Sequence, residues 1–384
     1  MRITDIEAIP FQLPTRREFW WAGLKASLGG FVLVRIRTDE GITGLGEATP
    51  LPDWGGDFGR RSGETQKTVI ALVRDVLKPV LLGSDPRDLD RANAAMNRAL
   101  RGNVYAKNAV DIALHDIAGK AAGLPVYRLL GGKFRDAVAV AHMIGLMSDA
   151  DAEAEAVAAV GDGVRTLQIK GGEDSERDVR LVRLLRRRLP AGTLLRLDAN
   201  QGYGDAKTTI RVLRQLEDVG LDYIEQPAVG HMQMAAARSE VRPRVIADES
   251  CWDAAEALDV VRTQAADCIS IYLAKAGGIS GARRVAVVAE AAGITCDVNG
   301  SIESGVGNAA NLHVALACPP ISMACVIPVS APKGTHPWRV AGNYYLDDII
   351  TKPMAVAKGA LLPLEAPGLG VELDEAKLAA YRID

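Results

Sequence analysis

The sequence predicts an α/β protein in two parts, an α+β domain followed by a (β/α)8-type TIM barrel. Three observations carry this. The first 125 residues run strands first and helices after, the order of an α+β unit. From about residue 135, eight short apolar runs alternate with helices of amphipathic spacing, the count of a closed barrel. Ionisable residues end four successive runs, about one strand-plus-helix unit apart. A length of 384 residues accommodates both parts and is too great for one ordinary core.

Taken in order, Met1-Arg-Ile-Thr-Asp-Ile-Glu7 alternates as a strand does and lacks the apolar core of a signal peptide. Phe31 to Glu47 reads as two strands around an Asp39-Glu40-Gly41 turn. Thr65 to Leu81, Asp88 to Leu100 and Tyr105 to Ala122 carry apolar residues at helical spacing, the last stopping near Gly123-Leu-Pro125. These elements place the first domain at 1–125. The barrel, placed at 132–352, is expected to use strands Val138–Ile144, Thr166–Lys170, Leu194–Asp198, Tyr223–Glu225, Val245–Asp248, Cys268–Leu273, Ile294–Val298 and Met323–Ile327. Helices are expected at Asp151–Val160, Ser175–Leu189, Ala206–Val219, Asp253–Gln264 and Gly281–Ala292. A doubly wound sheet is the alternative, but no Gly-x-Gly-x-x-Gly turn follows the first strand. Residues 353–384 are too short for a domain and are expected to return to the first one.

Net charge is −3, and no basic run stands apart from acidic residues. Arg186 to Arg188 sits among leucines as the solvent face of a helix, so no nucleic-acid partner is expected. No apolar run reaches membrane-spanning length, so no membrane partner is expected either. Five scattered cysteines without metal-type spacing read as reduced thiols of a cytoplasmic protein.

Lys170, Asp198, Glu225 and Asp248 end the second to fifth predicted strands. In a barrel those ends share one pocket. Three converging carboxylates repel unless a cation neutralises them. An all-oxygen set favours Mg²⁺ or Mn²⁺, and an amine beside that cation is pushed toward the neutral form that a general base needs. A single strand-end acid is more often a helix cap, and Asp198-Ala-Asn-Gln-Gly202 alone reads equally as a loop. Three in consecutive units beside a lysine do not read that way.

The sequence resembles the enolase superfamily, in the muconate-lactonising enzyme (muconate cycloisomerase) subgroup of the mandelate racemase/muconate lactonising enzyme family. The motifs are Leu167-Gln-Ile-Lys170, Leu197-Asp-Ala-Asn200, Tyr223-Ile-Glu-Gln-Pro227, Ala247-Asp-Glu-Ser250, Ala274-Lys-Ala-Gly-Gly278 and Ser301-Ile-Glu-Ser-Gly305, with Gly41 to Glu47 and Tyr105 to Lys120 in the first domain. They span the chain in the family's order. The resemblance implies an α+β capping domain over the mouth of a modified barrel. It implies Mg²⁺ on Asp198, Glu225 and Asp248, and Lys170 as base on one face of a small-molecule carboxylate. It also implies a substrate-binding role for Asn200, a supporting one for Glu249, a catalytic one for Glu303, and a homo-oligomer.

Two positions depart from the family's pattern. Gln168 stands where Lys-x-Lys is common; two residues before Lys170 on a strand, it faces the same side and remains a candidate to bind substrate. Tyr272 stands where relatives carry a lysine on the opposite face of the substrate. With a reference pKa near 10 it is acceptable as an acid and needs help as a base; the bland alternative is a pocket-lining phenol. Lys275 is read as structural. The seventh strand lacks the histidine of mandelate-racemase-type members, and the eighth lacks the Asp-x-Asp of dipeptide epimerases. His142 reads as a packed core histidine. Specificity is expected in lid loops near 16–27 and 50–62, with Trp20 and Trp54 as substrate-binding candidates and simple burial of the tryptophans as the alternative.

The expected activity is metal-dependent abstraction of the α-proton of a small carboxylate, giving an enolate, then cycloisomerisation or lactonisation. Dehydration of a hydroxy acid and racemisation or epimerisation of an amino-acid derivative are the alternatives. From another class, a barrel that binds metal and carboxylate without catalysis would need no Lys170.

Overall fold

The computed structural model describes residues 1–22, 28–56, 61, 63–332 and 334–384. An antiparallel sheet in the order β1 (Ile3–Gln12), β2 (Gly30–Thr38), β3 (Thr43–Ala48) opens the chain. Gly41, at φ 79°, turns β2 into β3. Helix Val104–Ala122 packs on β3 so closely that a Cβ at Gly46 would lie 1.9 Å from the Ala109 carbonyl oxygen, and one at Gly44 would lie 2.2 Å from that of Ala113. The glycines of the Gly41–Glu47 motif are thus the condition for helix and strand backbones to touch. The helix expected over Thr65–Leu81 is interrupted: Gln66–Leu72 passes through a π-helical stretch, Val73–Leu77, into Lys78–Leu81. Pro79 cannot donate a backbone N–H, and the widened turn comes just before it.

The second part is a parallel sheet in strict sequence order: β5 (Ala141–Ile144), β6 (Thr166–Lys170), β7 (Leu194–Asp198), β8 (Tyr223–Glu225), β9 (Arg244–Ala247), β10 (Cys268–Ile271) and β11 (Thr295–Val298). The first expected strand is split: β4 (Val138–Ala139) turns outward to pair antiparallel with β13 (Ala360–Leu361), itself the partner of β12 (Val356–Ala357). The eighth expected strand, Met323–Ile327, is not a regular strand. Its region still closes the ring, through bridges Cys296–Ile321 and Val140–Cys325 and backbone hydrogen bonds from Met323 to Cys296 and from Ala141 to Cys325. Pro319, Pro320 and Pro328 flank it and deprive the ladder of donors. This is the modification of the barrel.

Helices Asp149–Gly161, Ser175–Arg188, Ala206–Arg214, Ala254–Thr263 and Ile279–Ala291 lie within a few residues of expectation, the third stopping early. Besides the single turn Leu273–Ala276, two more appear, His231–Arg238 and Gly305–Ala317. Every residue of the latter is buried, so it lacks the two-faced periodicity that marks a surface helix.

The N-terminal unit docks through buried carboxylates. Glu47 accepts from the Ser304 and Gly307 amides at 2.8 and 3.2 Å, at the start of helix Gly305–Ala317. Asp111 accepts from Ser280 N at 3.1 Å, at the start of helix Ile279–Ala291. Each meets unpaired N–H groups at a positive helix end. The C-terminus returns to the first sheet: Arg382 bridges Phe11, Ile383 N donates to the Pro10 carbonyl at 3.2 Å, and Glu375 pairs with Arg35 at 2.7 Å. One apolar core runs from Phe11, Phe31 and Leu33 of the sheet into the barrel. All five cysteines are free and buried. No helix among the described residues is long and apolar enough to cross a membrane.

Candidate active site

Register explains the gathering of the site. Lys170, Asp198 and Glu225 are direct Cα partners across β6, β7 and β8, so their side chains share a level and a face. Asp248 follows the end of β9. Gln168, two residues before Lys170, donates to Asp198 at 2.7 Å and Glu225 at 2.9 Å. Lys170 Nζ donates to Asp198 Oδ2 at 2.5 Å and Asn200 Oδ1 at 3.1 Å. Asn200 in turn donates to Glu249 Oε1 at 3.0 Å. Asn200 and Gln201, just beyond Ala199, hold positive φ (41° and 67°), a strained turn of the kind found at functional sites.

Two further cations complete the cluster. Arg196 points into the barrel from β7, 1% exposed, and joins Glu225 (2.5 Å) to Asp297. Lys275 donates to Asp248 Oδ1 at 2.5 Å and to the carbonyls of Asp248 and Ser270. Burial pushes Glu225 up to about 8, with Asp198 and Asp248 adding to the shift against Arg196. Asp248 and Glu249 are also raised, first by burial.

Among the described residues, no three acidic, imidazole or thiol groups form a closed metal cluster. The amide of Gln168 and the cations of Lys170, Arg196 and Lys275 reach in between the carboxylates. The donor set nevertheless fits a hard divalent ion. Its ligands are all oxygens, and Asp248 Oδ2, though buried, has no hydrogen-bond partner. Five buried carboxylates (Asp198, Glu225, Asp248, Glu249 and Asp297) face three buried cations. When all are ionised, the cluster lacks two positive charges. Burial lowers the pKa of Lys170, but Asp198 and Glu225 outweigh burial and raise it. The amine remains charged while it alone offsets Asp198; a divalent charge among the same oxygens would oppose that.

A narrow cavity of about 20 Å³ opens beside this cluster. Gln168, Lys170 and Asn200 form one wall; Tyr272 and the 299–302 segment form the other. Trp21, Leu51 and Trp54 of the N-terminal unit also line it. Lys170 and Tyr272 belong to the second and sixth of eight ring positions, so they stand across the barrel from each other. Burial, then the carboxylates of Asp248, Glu225, Asp198 and Glu249, push the Tyr272 phenol well above its ordinary value.

Two candidates need correction. Trp20 is 40% exposed and does not line the cavity; its neighbour Trp21 is buried, with Lys170 Nζ 5.6 Å from its ring. The Trp20 carbonyl is held by Leu146 N at 2.7 Å, and the following residue turns inward instead. Glu303 lies behind the cavity wall, accepting from Ser301 N at 2.9 Å and Asn311 at 3.3 Å, with burial raising it to about 7. Gly300 leaves it room, since a Cβ there would meet its carboxylate at 2.1 Å. Glu303 therefore shapes the wall without reaching the cavity. Within that wall Ile302 has φ 61°, a strained conformation for a β-branched residue that no sequence signal announced. His142 is fully buried, 2.9 Å from Glu155 on the first barrel helix. Within the expected lid loops, positions 23–27, 57–60 and 62, including Lys25 and Arg60, lie outside the described residues.

Comparison with known proteins agrees with this architecture. The "Enolase C-terminal domain-like" family matches residues 151–377, and the "Mandelate racemase / muconate lactonizing enzyme, N-terminal domain" matches 18–131. The chain is 30% identical to N-succinyl-L-Arg/Lys racemase of Bacillus cereus over 98% of its length and 97% of that protein's. It is 32% identical to muconate cycloisomerase 1 of Rhodococcus opacus, covering 97% and 96%. It is 34% identical to L-Ala-D/L-Glu epimerase of Bacillus subtilis, covering 82% and 85%. The solved muconate lactonizing enzyme from Pseudomonas fluorescens, complexed with muconolactone, superposes with a TM-score of 0.90 at 31% identity, over 100% of this chain and 99% of that one. The chain belongs to the mandelate racemase/muconate lactonizing enzyme family, a group of enolase-superfamily enzymes.

Proposed function

We propose that the protein removes the α-proton of a small carboxylate with Lys170, giving an enolate, and continues by cycloisomerisation of the lactonising type. One observation carries the reading. Lys170 and Tyr272 are the only ionisable side chains among the described residues lining the cavity, and they face each other across it. A divalent cation, Mg²⁺ or Mn²⁺, held by Asp198, Glu225 and Asp248 would supply positive charge where the substrate carboxylate gains negative charge. Lys170 Nζ takes the α-proton, and the C–H electron pair moves toward the carboxylate. The pair then returns through a bond broken at the β-carbon, as in lactone opening or loss of a β-hydroxyl, with the reverse order for lactone closure. Gln168 and Asn200 orient Lys170 and its carboxylate partners. Tyr272, kept protonated, offers a proton at the far face and does not remove one.

The second reading, a racemase or epimerase, draws on that same opposition of Lys170 and Tyr272 and on the likeness to the N-succinyl-amino-acid racemase and the dipeptide epimerase. Deuterium incorporation in D₂O with Mg²⁺ tests both. The panel holds muconolactone, both enantiomers of N-succinylarginine, and 3-hydroxy acids. Exchange by the wild type should fall by about 10²–10⁴-fold in Lys170→Ala. No exchange with any panel member, or exchange unchanged in Lys170→Ala, would overturn the enzyme reading in favour of a binding barrel. Tyr272→Phe should keep exchange on the Lys170 face under the first reading; inversion by the wild type that Tyr272→Phe loses would favour the second.

A further inference from the structure

Tyr272 has an unusual support. The residue is only 6% exposed and lines the cavity. Its ring is held by stacking. Trp54 lies against it at 5.3 Å and 15°, and Trp54 also stacks on Trp252 at 5.1 Å and 24°. The Lys275 ammonium lies 4.3 Å from the Tyr272 ring and 6.0 Å from that of Trp54. Stacked rings and nearby cations attract through the ring quadrupole.

Trp252 is the fixed end of this assembly. Its indole N–H donates to the Glu249 carbonyl at 3.1 Å, and its backbone N–H to Glu256 at 2.7 Å. The Arg61 guanidinium lies 4.9 Å from its ring and pairs with Glu256. Gly56, at φ 74°, lets the loop backbone pass over the indole edge, where a Cβ would stand 3.0 Å from Trp252 Nε1. Trp252 belongs to the barrel and does not line the cavity, whereas Trp54 comes from the N-terminal unit.

We propose that Trp252, acting through Trp54, is a positioning residue for Tyr272, so that the far face of the substrate is served only when the 50–56 segment is seated on Trp252. The proposal rests on the reading of Tyr272 as the group opposite Lys170. The logic is geometric. What packs on the faces of the ring sets the direction of the phenol, and a displacement of about 1 Å at a reacting group costs up to about 10²-fold in rate.

The test is ¹⁹F NMR on full-length protein labelled with 3-fluorotyrosine, the Tyr272 resonance being identified by its loss in Tyr272→Phe. Trp252→Leu should shift that resonance or split it into two or more, and Trp54→Leu should do the same. Phe134→Leu, at a position 64% exposed, should leave it unchanged. Trp252→Phe retains a ring and serves if the leucine variant does not fold; it should shift the resonance less. A single unshifted Tyr272 resonance in the folded Trp252 variants overturns the proposal. The underlying reading fails separately, if Tyr272→Phe leaves face-resolved deuterium exchange unchanged while the resonance does respond to Trp252.

Discussion

Arg196→Leu is the perturbation for which the structure gives the clearest magnitude. The guanidinium is 1% exposed and joins two carboxylates that are themselves fully buried, Glu225 and Asp297. Its removal leaves Glu225 with only neutral donors, Gln168 at 2.9 Å and Asn299 at 3.4 Å, and takes away the partner cation of Asp297. Breaking a buried pair by deleting one partner costs about 3–5 kcal/mol, and two stranded carboxylates place this variant toward the upper end. The pH dependence follows. Glu225 is already raised to about 8, chiefly by burial, and Arg196 is the group that opposes this. A carboxyl whose folded pKa exceeds its unfolded value contributes stability below the unfolded pKa and loses it as pH rises through the folded one. The penalty should therefore be larger at pH 9 than at pH 6. Urea unfolding in EDTA at the two pH values measures it. The Arg196→Leu/Asp297→Leu double variant should cost less than the sum of the single ones by about 0.5–3 kcal/mol. A single variant within about 1 kcal/mol of wild type, or strict additivity, would refute the account of the buried network.

Mg²⁺ at about 100 times its dissociation constant should stabilise the wild type by about 2.7 kcal/mol. Asp248→Asn should fold in EDTA yet lose most of that gain, as read from unfolding midpoints with and without the ion. Glu64, which accepts from the Tyr105 and Ala106 amides, is raised by burial from 4.5 to about 7. Its raised pKa means that stability present below pH 4.5 is lost as pH climbs through 7. Glu64→Gln should thus gain on the wild type by about 3 kcal/mol between pH 4 and pH 8, and a flat difference would contradict the burial. Burial also raises the five thiols, Cys251 and Cys325 to about 12 and Cys318 to about 11. Fewer than one thiol per chain should therefore react with a disulfide reagent in the native protein at pH 8, against all five in denaturant.

What the sequence disclosed follows the repeat of the barrel. Lys170, Asp198 and Glu225 were legible because each ends a strand, and parallel strands in register put strand ends at one level. The same two-residue rule that places Gln168 beside Lys170 applies to Arg196 beside Asp198, so the inward turn of Arg196 is also legible in the sequence. Trp20 and Trp21 illustrate a limit. Outside a helix or strand no period says which of two adjacent side chains turns inward, and the structure selects Trp21. Helix Gly305–Ala317 was hidden by complete burial, which removes the polar face that amphipathic patterns need. The Trp54–Tyr272 stack joins residues more than two hundred positions apart, and no local pattern encodes such a contact.

The bridge from Arg382 back to Phe11 bears on the order in which the chain is made. β1 is an edge strand, and part of its open side is covered by Arg382 and Ile383, far along the chain. During translation that edge waits, with unpaired backbone groups able to template association with other nascent chains. Completion of the N-terminal sheet is thereby deferred until Arg382 and Ile383 have left the ribosome, and loss of that segment exposes a sticky strand.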